Sequence, residues 1–332
     1  MANGIGEFDL IERYFKRRQT AGVGVVLGIG DDCAVLQPGP GMQLAVSSDM
    51  LVEGRHFLPT VDPFKLGHKA LAVNLSDLAA CGARPLAFTL ALALPQIDEA
   101  WLEGFSHGLL ALADLHGCTL VGGDTTRGPL TVCITVLGEV PAGLTLRRGG
   151  AAVGDDIYVS GTLGDARLAL EVFRGTLELP ATQFALARAR MEQPTPRVAL
   201  GQALRGIANA AIDVSDGLLG DLGHLLHASG VGAQIDTSVA MNLIAIPASD
   251  TLAIGQYDAK KQLEFVLAGG DDYELAFTAP PHARGAVQAA AAASDTVVTR
   301  IGCTRAAPGV ELHNAQGQVQ HLRYASFDHF KT

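Results

Sequence analysis

The sequence is poor in basic residues, with 24 Lys and Arg against 34 Asp and Glu and a formal net charge of -10. Proteins that bind nucleic acid or anionic membranes use a basic surface for the purpose. We therefore expect neither partner. An anionic substrate would have to be held by bound metal ions and a few cationic side chains.

The sequence also lacks cysteine pairs and long apolar runs. Its five cysteines form no C-x-x-C pair, so neither a zinc site nor a disulfide framework is indicated. The segment from Glu7 to Phe15 is amphipathic and charged, unlike the apolar centre of a signal peptide. The most apolar stretch, between Pro85 and Pro95, is shorter than the roughly 20 residues of a membrane span. We expect a soluble, cytoplasmic protein.

Standard phosphate-binding and nucleophile signatures are missing as well. There is no G-x-x-x-x-G-K-[ST], and neither Gly22-x-Gly24 nor Gly230-x-Gly232 continues as G-x-G-x-x-G. No serine or cysteine stands with a base that could activate it. Residues 122–127, Gly-Gly-Asp-Thr-Thr-Arg, could still bring backbone N–H groups close to a phosphate, although a plain turn between strands is the alternative.

What the chain does have is a recurrence of aspartate after small or apolar residues. The segments are Gly30-Asp31-Asp32, Ser47-Ser48-Asp49, Ser76-Asp77, Gly122-Gly123-Asp124, Asp213-Val214-Ser215-Asp216 and Gly269-Gly270-Asp271-Asp272. Each could be only a turn or an N-cap. Five follow β-like runs, however, which predicts carboxylates at strand ends. Like charges about 4 Å apart repel by about 4 kcal/mol at an effective dielectric near 20. Several together need a hard divalent cation, and this indicates Mg²⁺ and phosphate chemistry.

Asp77 stands out because it lies in an otherwise apolar predicted helix. Asn74, Asp77 and Cys81 share a stripe at i, i+3 and i+7, apart from the leucines of the same helix. Periodicity alone leaves open whether this stripe faces water or a binding site. Asp49 follows two serines whose hydroxyls are also hard ligands, and His56 follows on a loop where a surface position is the alternative.

Alternation of β-like runs with helical periods predicts a mixed α/β protein of the α+β type with two domains. A Gly- and Arg-rich junction between Pro141 and Asp156 places the boundary, giving domains 1–145 and 146–332. Predicted strands are Leu44–Ser48, Leu86–Leu94, Thr119–Val121, Leu130–Val140, Ile157–Ser160, Ala210–Val214 and Tyr273–Thr278, with a hairpin over Val310–Leu322. Predicted helices are Phe64–Cys81, Ile97–His116, one from Asp165, Asp216–Ser229 and His282–Ala293.

Taken together, the motifs resemble the thiamine-monophosphate kinase family, part of a superfamily of ATP-dependent enzymes that includes aminoimidazole ribonucleotide synthetase. The matching strings run in family order along the whole chain, and residues 49–56 and 69–80 carry the family-specific part. The strings span residues 28–35, 47–57, 69–80, 122–127, 159–165, 212–218, 269–275 and 327–330.

The resemblance implies two mixed α/β domains, an N-terminal domain that binds ATP and Mg²⁺ and forms the dimer interface, and a C-terminal domain. It implies a homodimer with ATP bound near that interface. It also implies transfer of the γ-phosphoryl group of ATP to thiamine monophosphate, which gives thiamine diphosphate. The acceptor is a phosphate oxygen that is already ionised, so no catalytic base is required.

The resemblance also implies site residues, residue by residue. The metal ligands are Asp32, Ser47, Ser48, Asp49, Asp77, Asp124, Asp213 and Asp216. The nucleotide contacts are Gly123, Asp124, Arg148 and Ser215. The thiamine monophosphate contacts are His56, Asp271 and Tyr324. The family usually has Glu at the position of Asp271 and often Trp at that of Tyr324.

Two other functions remain open at this stage. One is another superfamily enzyme such as a selenophosphate synthetase, although no Cys or Gly-rich arm precedes the first motif. The other is a non-catalytic protein that binds divalent cations, which would have no need for Gly123 and Arg148 as nucleotide contacts.

Overall fold

The structure is a computed structural model that describes residues 7–16, 24–29, 33–250 and 257–321. These residues form two compact units. The first contains the described residues up to Leu78 and then Ala83–Gly143; the second contains Ala79–Gly82 and the described residues from Leu144 onward. No helix in the described part of the chain is both long and apolar enough to cross a bilayer.

The first unit is built on a four-stranded sheet with the order β3-β6-β4-β5. Only β4 and β5 run parallel; β3 pairs antiparallel with β6 along its whole length. The strands are β1 (Val25–Leu27), β2 (Val35–Leu36), β3 (Met42–Val52), β4 (Arg84–Leu94), β5 (Thr119–Arg127) and β6 (Thr131–Pro141). The helices are α1 (Glu7–Leu10), which continues into a π-helical turn over Ile11–Phe15, α2 (Pro63–Ala80) and α3 (Glu99–Leu115).

Helix α2 begins and ends on ordinary capping chemistry. The Asp62 carboxylate accepts the Phe64 N–H at 2.9 Å, proline occupies the first helical position, and Gly82 adopts the left-handed conformation just beyond the last turn. Its leucine stripe, including Leu71 and Leu75, is fully buried. The predicted helix over 64–81 is therefore confirmed.

The second unit holds a seven-stranded sheet with the order β13-β12-β9-β11-β7-β10-β8. Its strands are β7 (Asp156–Ser160), β8 (Ala210–Val214), β9 (Gly232–Asp236), β10 (Glu274–Ala279), β11 (Val298–Arg305), β12 (Val310–His313) and β13 (Val319–Gln320). Its helices are α4 (Asp165–Phe173), α5 (Ala181–Glu192), α6 (Val198–Ala203), α7 (Leu218–Ser229), α8 (Thr237–Ala240), α9 (Ala259–Ala268) and α10 (Arg284–Ala293). Short 3₁₀ turns span Met241–Leu243, Ala248–Asp250 and Pro281–Ala283.

The three strands at one side of this sheet, β7, β10 and β8, are buried along their whole length. Helices α4, α7 and α9 contribute Leu168, Leu222 and Phe265 to one apolar core with Ile157 and Ile212. Continuous apolar runs are typical of strands covered on both faces. The sequence pattern thus predicted this unit as a mixed α/β domain, and the α/β class is confirmed.

Candidate active site

In the first unit, β3 and α2 bring three of the predicted metal ligands together. Ser47 Oγ donates to Asp77 Oδ2 at 2.5 Å, and the Asp49 backbone N–H donates to Asn74 Oδ1 at 3.1 Å. Asn74 is 1% exposed and also donates to the Ala70 carbonyl. The polar stripe of α2 therefore faces β3 at Asn74 and Asp77, and the water-facing alternative is excluded for these two residues.

The electrostatics at this point favour a bound cation. Burial and the negative charge of Asp77 together raise the pKa of Asp49 to about 6. Both effects destabilise the charged form of Asp49. A divalent cation bound to the carboxylate oxygens would stabilise that charged form. Two carboxylates with a serine hydroxyl are a donor set that Mg²⁺ accepts, so these residues fit the metal that the resemblance implies.

Asp49 and Asp124 do not lie at strand ends, and the expectation that they would is wrong. Strand β3 continues to Val52 and β5 continues to Arg127. The reason is that β6 offers β3 an eleven-residue antiparallel ladder, while β4 pairs with β5 up to Arg127. A carboxylate is tolerated inside β3 because alternate residues point to opposite faces and Asp49 faces the polar stripe of α2.

Ser48 is directed away from Ser47 and Asp49. Its hydroxyl lies 2.9 Å from Thr135 Oγ1 and donates to the Ile134 carbonyl at 3.2 Å. This is the opposite face of β3, as the two-residue period of a strand requires. The Ser48 side chain is thus separated from the Ser47–Asp77 hydrogen bond, and its role as a metal ligand stays a prediction.

Gly123 and Asp124 lie on the edge strand β5, and both are exposed. Gly123 has φ of +147°, and a Cβ there would collide with the Leu90 carbonyl oxygen of β4. Close backbone packing therefore already requires glycine at this position. Asp124 pairs in register with Ala91. The nucleotide and metal roles of these two residues stay predictions.

His56 is held in one tautomer by the turn after β3. The Val52 backbone N–H donates to His56 Nδ1 at 2.9 Å. A ring nitrogen that accepts carries no proton, so in this arrangement the proton lies on Nε2. The imidazole is half-buried in this turn.

In the second unit, the loop between β8 and α7 presents further predicted ligands. Asp213 is 6% exposed near the end of β8, and Ser215 and Asp216 follow it, half-buried. The Asp221 carboxylate accepts the backbone N–H groups of Ser215 and Asp216, each at 3.0 Å. Burial raises the pKa of Asp221 to about 7. Asp221 was not predicted as a functional residue; its signal is an acid in the first turn of a helix.

The Asp271 segment is joined to this loop through the backbone. The Asp271 N–H donates to the Ser215 carbonyl at 2.7 Å, and the Tyr273 N–H donates to the Val214 carbonyl at 2.8 Å. Both residues have positive φ, 64° for Asp271 and 54° for Tyr273. Such conformations cost of order 1–3 kcal/mol each and cluster at functional sites. A predicted substrate contact therefore lies beside predicted metal and nucleotide contacts.

Glu274, an acid of the same motif at residues 269–275, has a structural role. Its side chain is fully buried, and its Oε2 accepts from Ser160 Oγ at 2.5 Å and from Arg197 Nε at 2.6 Å. Oε1 accepts from Nη2 of Arg190 and Nη2 of Arg197, both at 2.6 Å. The carboxylate is neutralised within its own unit. Sequence reasoning did not single it out, because its partners lie 77 to 114 residues away.

Arg148 is exposed on a turn whose backbone is fixed by Ser229, the last residue of α7. Asp32 and Tyr324 lie outside the described residues. Within the residues that the structure describes, no three His, Cys, Asp or Glu side chains gather closely enough to hold a metal ion. The acids that the structure does bring together are the Asp49–Asp77 pair in one unit and the Asp213–Asp216 loop with Asp271 in the other.

Two family models match the chain. The N-terminal domain of AIR synthase related proteins matches residues 30–140, and the C-terminal domain of the same family matches residues 152–313. Thiamine-monophosphate kinase of Salmonella typhimurium is 47% identical over 330 residues, which are 98% of this chain and 99% of that protein.

Solved structures agree with this match. Thiamine-monophosphate kinase from Stenotrophomonas maltophilia K279a has a TM-score of 0.80 and 47% identity, over 90% of this chain and 92% of that one. A structure described as AaThiL complexed with AMPPCP and TMP has a TM-score of 0.74 and 29% identity, over 89% of each chain. The resemblance carried by the motifs is confirmed: the chain belongs to the thiamine-monophosphate kinase family, within the AIR synthase related proteins.

Proposed function

We propose that this protein phosphorylates thiamine monophosphate to thiamine diphosphate with ATP as the phosphoryl donor. The observation that carries the proposal is the near-full-length similarity to thiamine-monophosphate kinases, at 47% identity over 98% of the chain. A relative that binds AMPPCP and TMP together supports the same pair of substrates. The Asp49–Asp77 pair agrees with it, because two polyanions that react with each other need cations.

The residues would contribute by positioning and charge. When bound, Mg²⁺ supplies neutralisation of the phosphate oxygens during in-line transfer. In the first unit, Ser47, Asp49 and Asp77 would bind Mg²⁺, and Ser48 and Asp124 would complete the predicted set of ligands with Asp32. In the second unit, Asp213 and Asp216 would be Mg²⁺ ligands as well. Since the attacking phosphate oxygen is already ionised, none of these residues needs to remove a proton.

The substrates are assigned to the remaining residues. Gly123, Asp124, Arg148 and Ser215 contact the nucleotide, and His56, Asp271 and Tyr324 contact thiamine monophosphate. His56 suits its role because its Nε2 carries the proton when Val52 N–H occupies Nδ1. Asp271 suits its role because its backbone is bonded to the Ser215 carbonyl.

A homodimer is part of the proposal, formed through the open face of β3. Met42, Leu44, Val46 and Met50 alternate along this face and are 37%, 48%, 61% and 55% exposed. An apolar stripe of this length on an otherwise paired sheet is typical of an interaction surface. We expect Val46→Glu to produce monomers in analytical ultracentrifugation, and Gln43→Glu, on the other face of the strand, to leave the dimer intact.

The proposed domain roles are that residues 1–145 bind ATP and Mg²⁺ and dimerise, and that residues 146–332 form the C-terminal α/β domain, which contributes Arg148, Asp213, Ser215 and Asp216 as further contacts. The net charge of -10 disfavours a nucleic-acid or anionic-membrane partner. A cytoplasmic location completes the proposal.

Product analysis tests the function. Purified protein is incubated with ATP, Mg²⁺ and thiamine monophosphate, and the products are separated by chromatography. Thiamine diphosphate and ADP are expected in equal amounts. ADP with no thiamine diphosphate would favour another ATP-dependent reaction, and no turnover at high enzyme concentration would favour the cation-binding alternative.

A further inference from the structure

Helix α7 carries a polar anchor at each end, and each anchor binds the backbone of a loop with predicted nucleotide contacts. Asp221 lies in its first turn and Ser229 is its last residue. We infer that α7 is the positioning element of the nucleotide site in the second unit, with Asp221 and Ser229 as its positioning residues. The inference rests on the proposed function for the identity of the nucleotide.

Asp221 determines which way the loop before α7 faces. Its carboxylate accepts the N–H groups of Ser215 and Asp216 at 3.0 Å each. Consecutive N–H groups that point outward would bind an anion. Here they point inward to Asp221, so the loop presents the side chains of Ser215 and Asp216 instead. This polarity suits a cation or a metal–nucleotide complex rather than a bare phosphate.

Ser229 performs the matching task at the other end of the helix. Its hydroxyl accepts the N–H groups of Gly150 at 3.2 Å and Ala151 at 3.1 Å, and it donates to the Arg148 carbonyl at 3.0 Å. A serine hydroxyl offers one donor and two acceptors, so all of its capacity is used on this turn. The turn that carries Arg148 is thereby fixed to the end of α7.

The helix between the anchors is rigid and well packed. Leu218, Leu222 and Leu225 are fully buried in the core of the unit. Twelve residues at about 1.5 Å each give a span of about 18 Å. Helix α7 therefore holds the Ser215 loop at one end and the Arg148 turn at the other, while the Ala211 N–H of β8 also donates to the Arg147 carbonyl at 2.9 Å. Loosening either anchor should misplace one nucleotide contact without unfolding the core.

Substitutions at the anchors test the inference by calorimetric titration with Mg²⁺ and AMPPCP, and by steady-state kinetics. Asp221→Ala should weaken nucleotide binding at least tenfold, and Asp221→Asn, which keeps an accepting oxygen, should restore most of it. Ser229→Ala should raise KM for ATP several-fold and leave KM for thiamine monophosphate unchanged. His224→Ala, at an exposed position of the same helix, is the control and should behave as wild type.

The outcomes separate positioning from general stability. A fall in melting temperature with unchanged affinity of the folded protein would overturn the inference, as would an Asp221→Asn variant as weak as Asp221→Ala. If Asp221→Ala does not fold, Asp221→Asn and Ser229→Ala still decide. Failure of the wild type to form thiamine diphosphate would refute the proposed reaction, whereas the calorimetric comparison would still test the role of α7.

Discussion

Glu274 in the second unit and Asp49 in the first unit are both carboxylates removed from water, but their surroundings act on the negative charge in opposite ways. In the second unit, Glu274 is fully buried and its two oxygens accept four hydrogen bonds, from Arg190, Arg197 and Ser160. In the first unit, burial and then the negative charge of another acid, Asp77, raise the pKa of Asp49 to about 6. The negative charge of Glu274 is compensated by two arginines, whereas the negative charge of Asp49 is repelled by a second acid.

The contrast distinguishes an acid whose charge is compensated within the fold from two acids whose charges repel each other, and the latter are the better candidates for binding a ligand. A buried carboxylate costs several kcal/mol to desolvate unless it is paired and hydrogen-bonded. Glu274 meets that condition within its own unit. The Asp49–Asp77 arrangement sets two negative charges against each other, and a bound cation would compensate them. Burial alone would rank Glu274 as the more interesting acid, whereas compensation of charge favours Asp49 and Asp77 as the candidate ligand-binding pair.

The largest expected effect is on turnover, when one acid of the Asp49–Asp77 pair is replaced. Asp77→Asn should lower kcat about 1,000-fold, because electrostatic stabilisation by a metal is worth several kcal/mol and each 1.4 kcal/mol is about a factor of ten. The metal-free protein should be as stable as wild type or more so, since the repulsion with Asp49 is relieved and the amide oxygen can still accept from Ser47. Kinetics and thermal melting with and without Mg²⁺ measure both effects.

Asp62→Asn is the matched control for Asp77→Asn. It removes one negative charge from the start of the same helix, and asparagine caps a helix as well as aspartate does. We expect its turnover to equal that of wild type. Unchanged turnover in Asp77→Asn, or an equal loss in Asp62→Asn, would contradict a metal role for Asp77.

The next effect is on stability, at the compensated acid. Glu274→Gln should destabilise the protein by about 3 kcal/mol, because the amide N–H₂ faces an arginine donor and two half-buried cations lose their fully buried counter-charge. Urea unfolding measures the change. The folded fraction should keep its affinity for Mg²⁺ and AMPPCP. A variant that is stable but loses nucleotide affinity would show that Glu274 acts in ligand binding and not in stabilising the fold, which would contradict the comparison with Asp49 and Asp77.

Sequence patterns predicted the long periodic elements well. The leucine stripe and the Gly82 stop defined α2, and the apolar runs defined β4 and β10, because these signals are local. The ends of β3 and β5 were missed for a physical reason. Ser-Ser-Asp and Gly-Gly-Asp look like strand ends, yet β3 continues because its serines and Asp49 alternate between an open face and the polar stripe of α2.

The candidate site was predictable only where it consists of motif residues. The resemblance predicted Asp49, Asp77 and Asp216 as metal ligands, which stays a prediction, and it did not indicate which residues hold them in place. The partners of Glu274 lie 77 to 114 residues away, and Ser229 binds a turn 78 to 81 residues away. Single-sequence periodicity carries no signal for contacts at that distance, so the supporting residues had to come from the structure.

The smallest effect concerns an acid that is compensated by partly exposed cations. Asp156 is 2% exposed, and it accepts from Arg284 Nε at 2.6 Å and from Arg300 Nη1 at 3.2 Å. Hydrogen bonding and charge from Arg284, with a smaller contribution from Arg300, lower the pKa of Asp156. Because both arginines are about half exposed, the pairing should stabilise the fold by only about 1 kcal/mol.

The pH dependence gives this last prediction its sign. A carboxyl whose pKa is lower in the folded state stabilises the protein above its unfolded pKa of about 3.9, and the contribution is lost as pH falls through the folded value. Asp156→Asn should therefore be less stable than wild type at pH 7, and the difference in urea unfolding should shrink as the pH falls below about 3.9 and through the lower folded pKa. Asp258→Asn, which keeps the cap of α9 on the Lys261 N–H, should show no such pH-dependent difference. A deficit in Asp156→Asn that persists unchanged to pH 3 would mean that Asp156 acts through packing, and internal compensation would then rest on Glu274 alone.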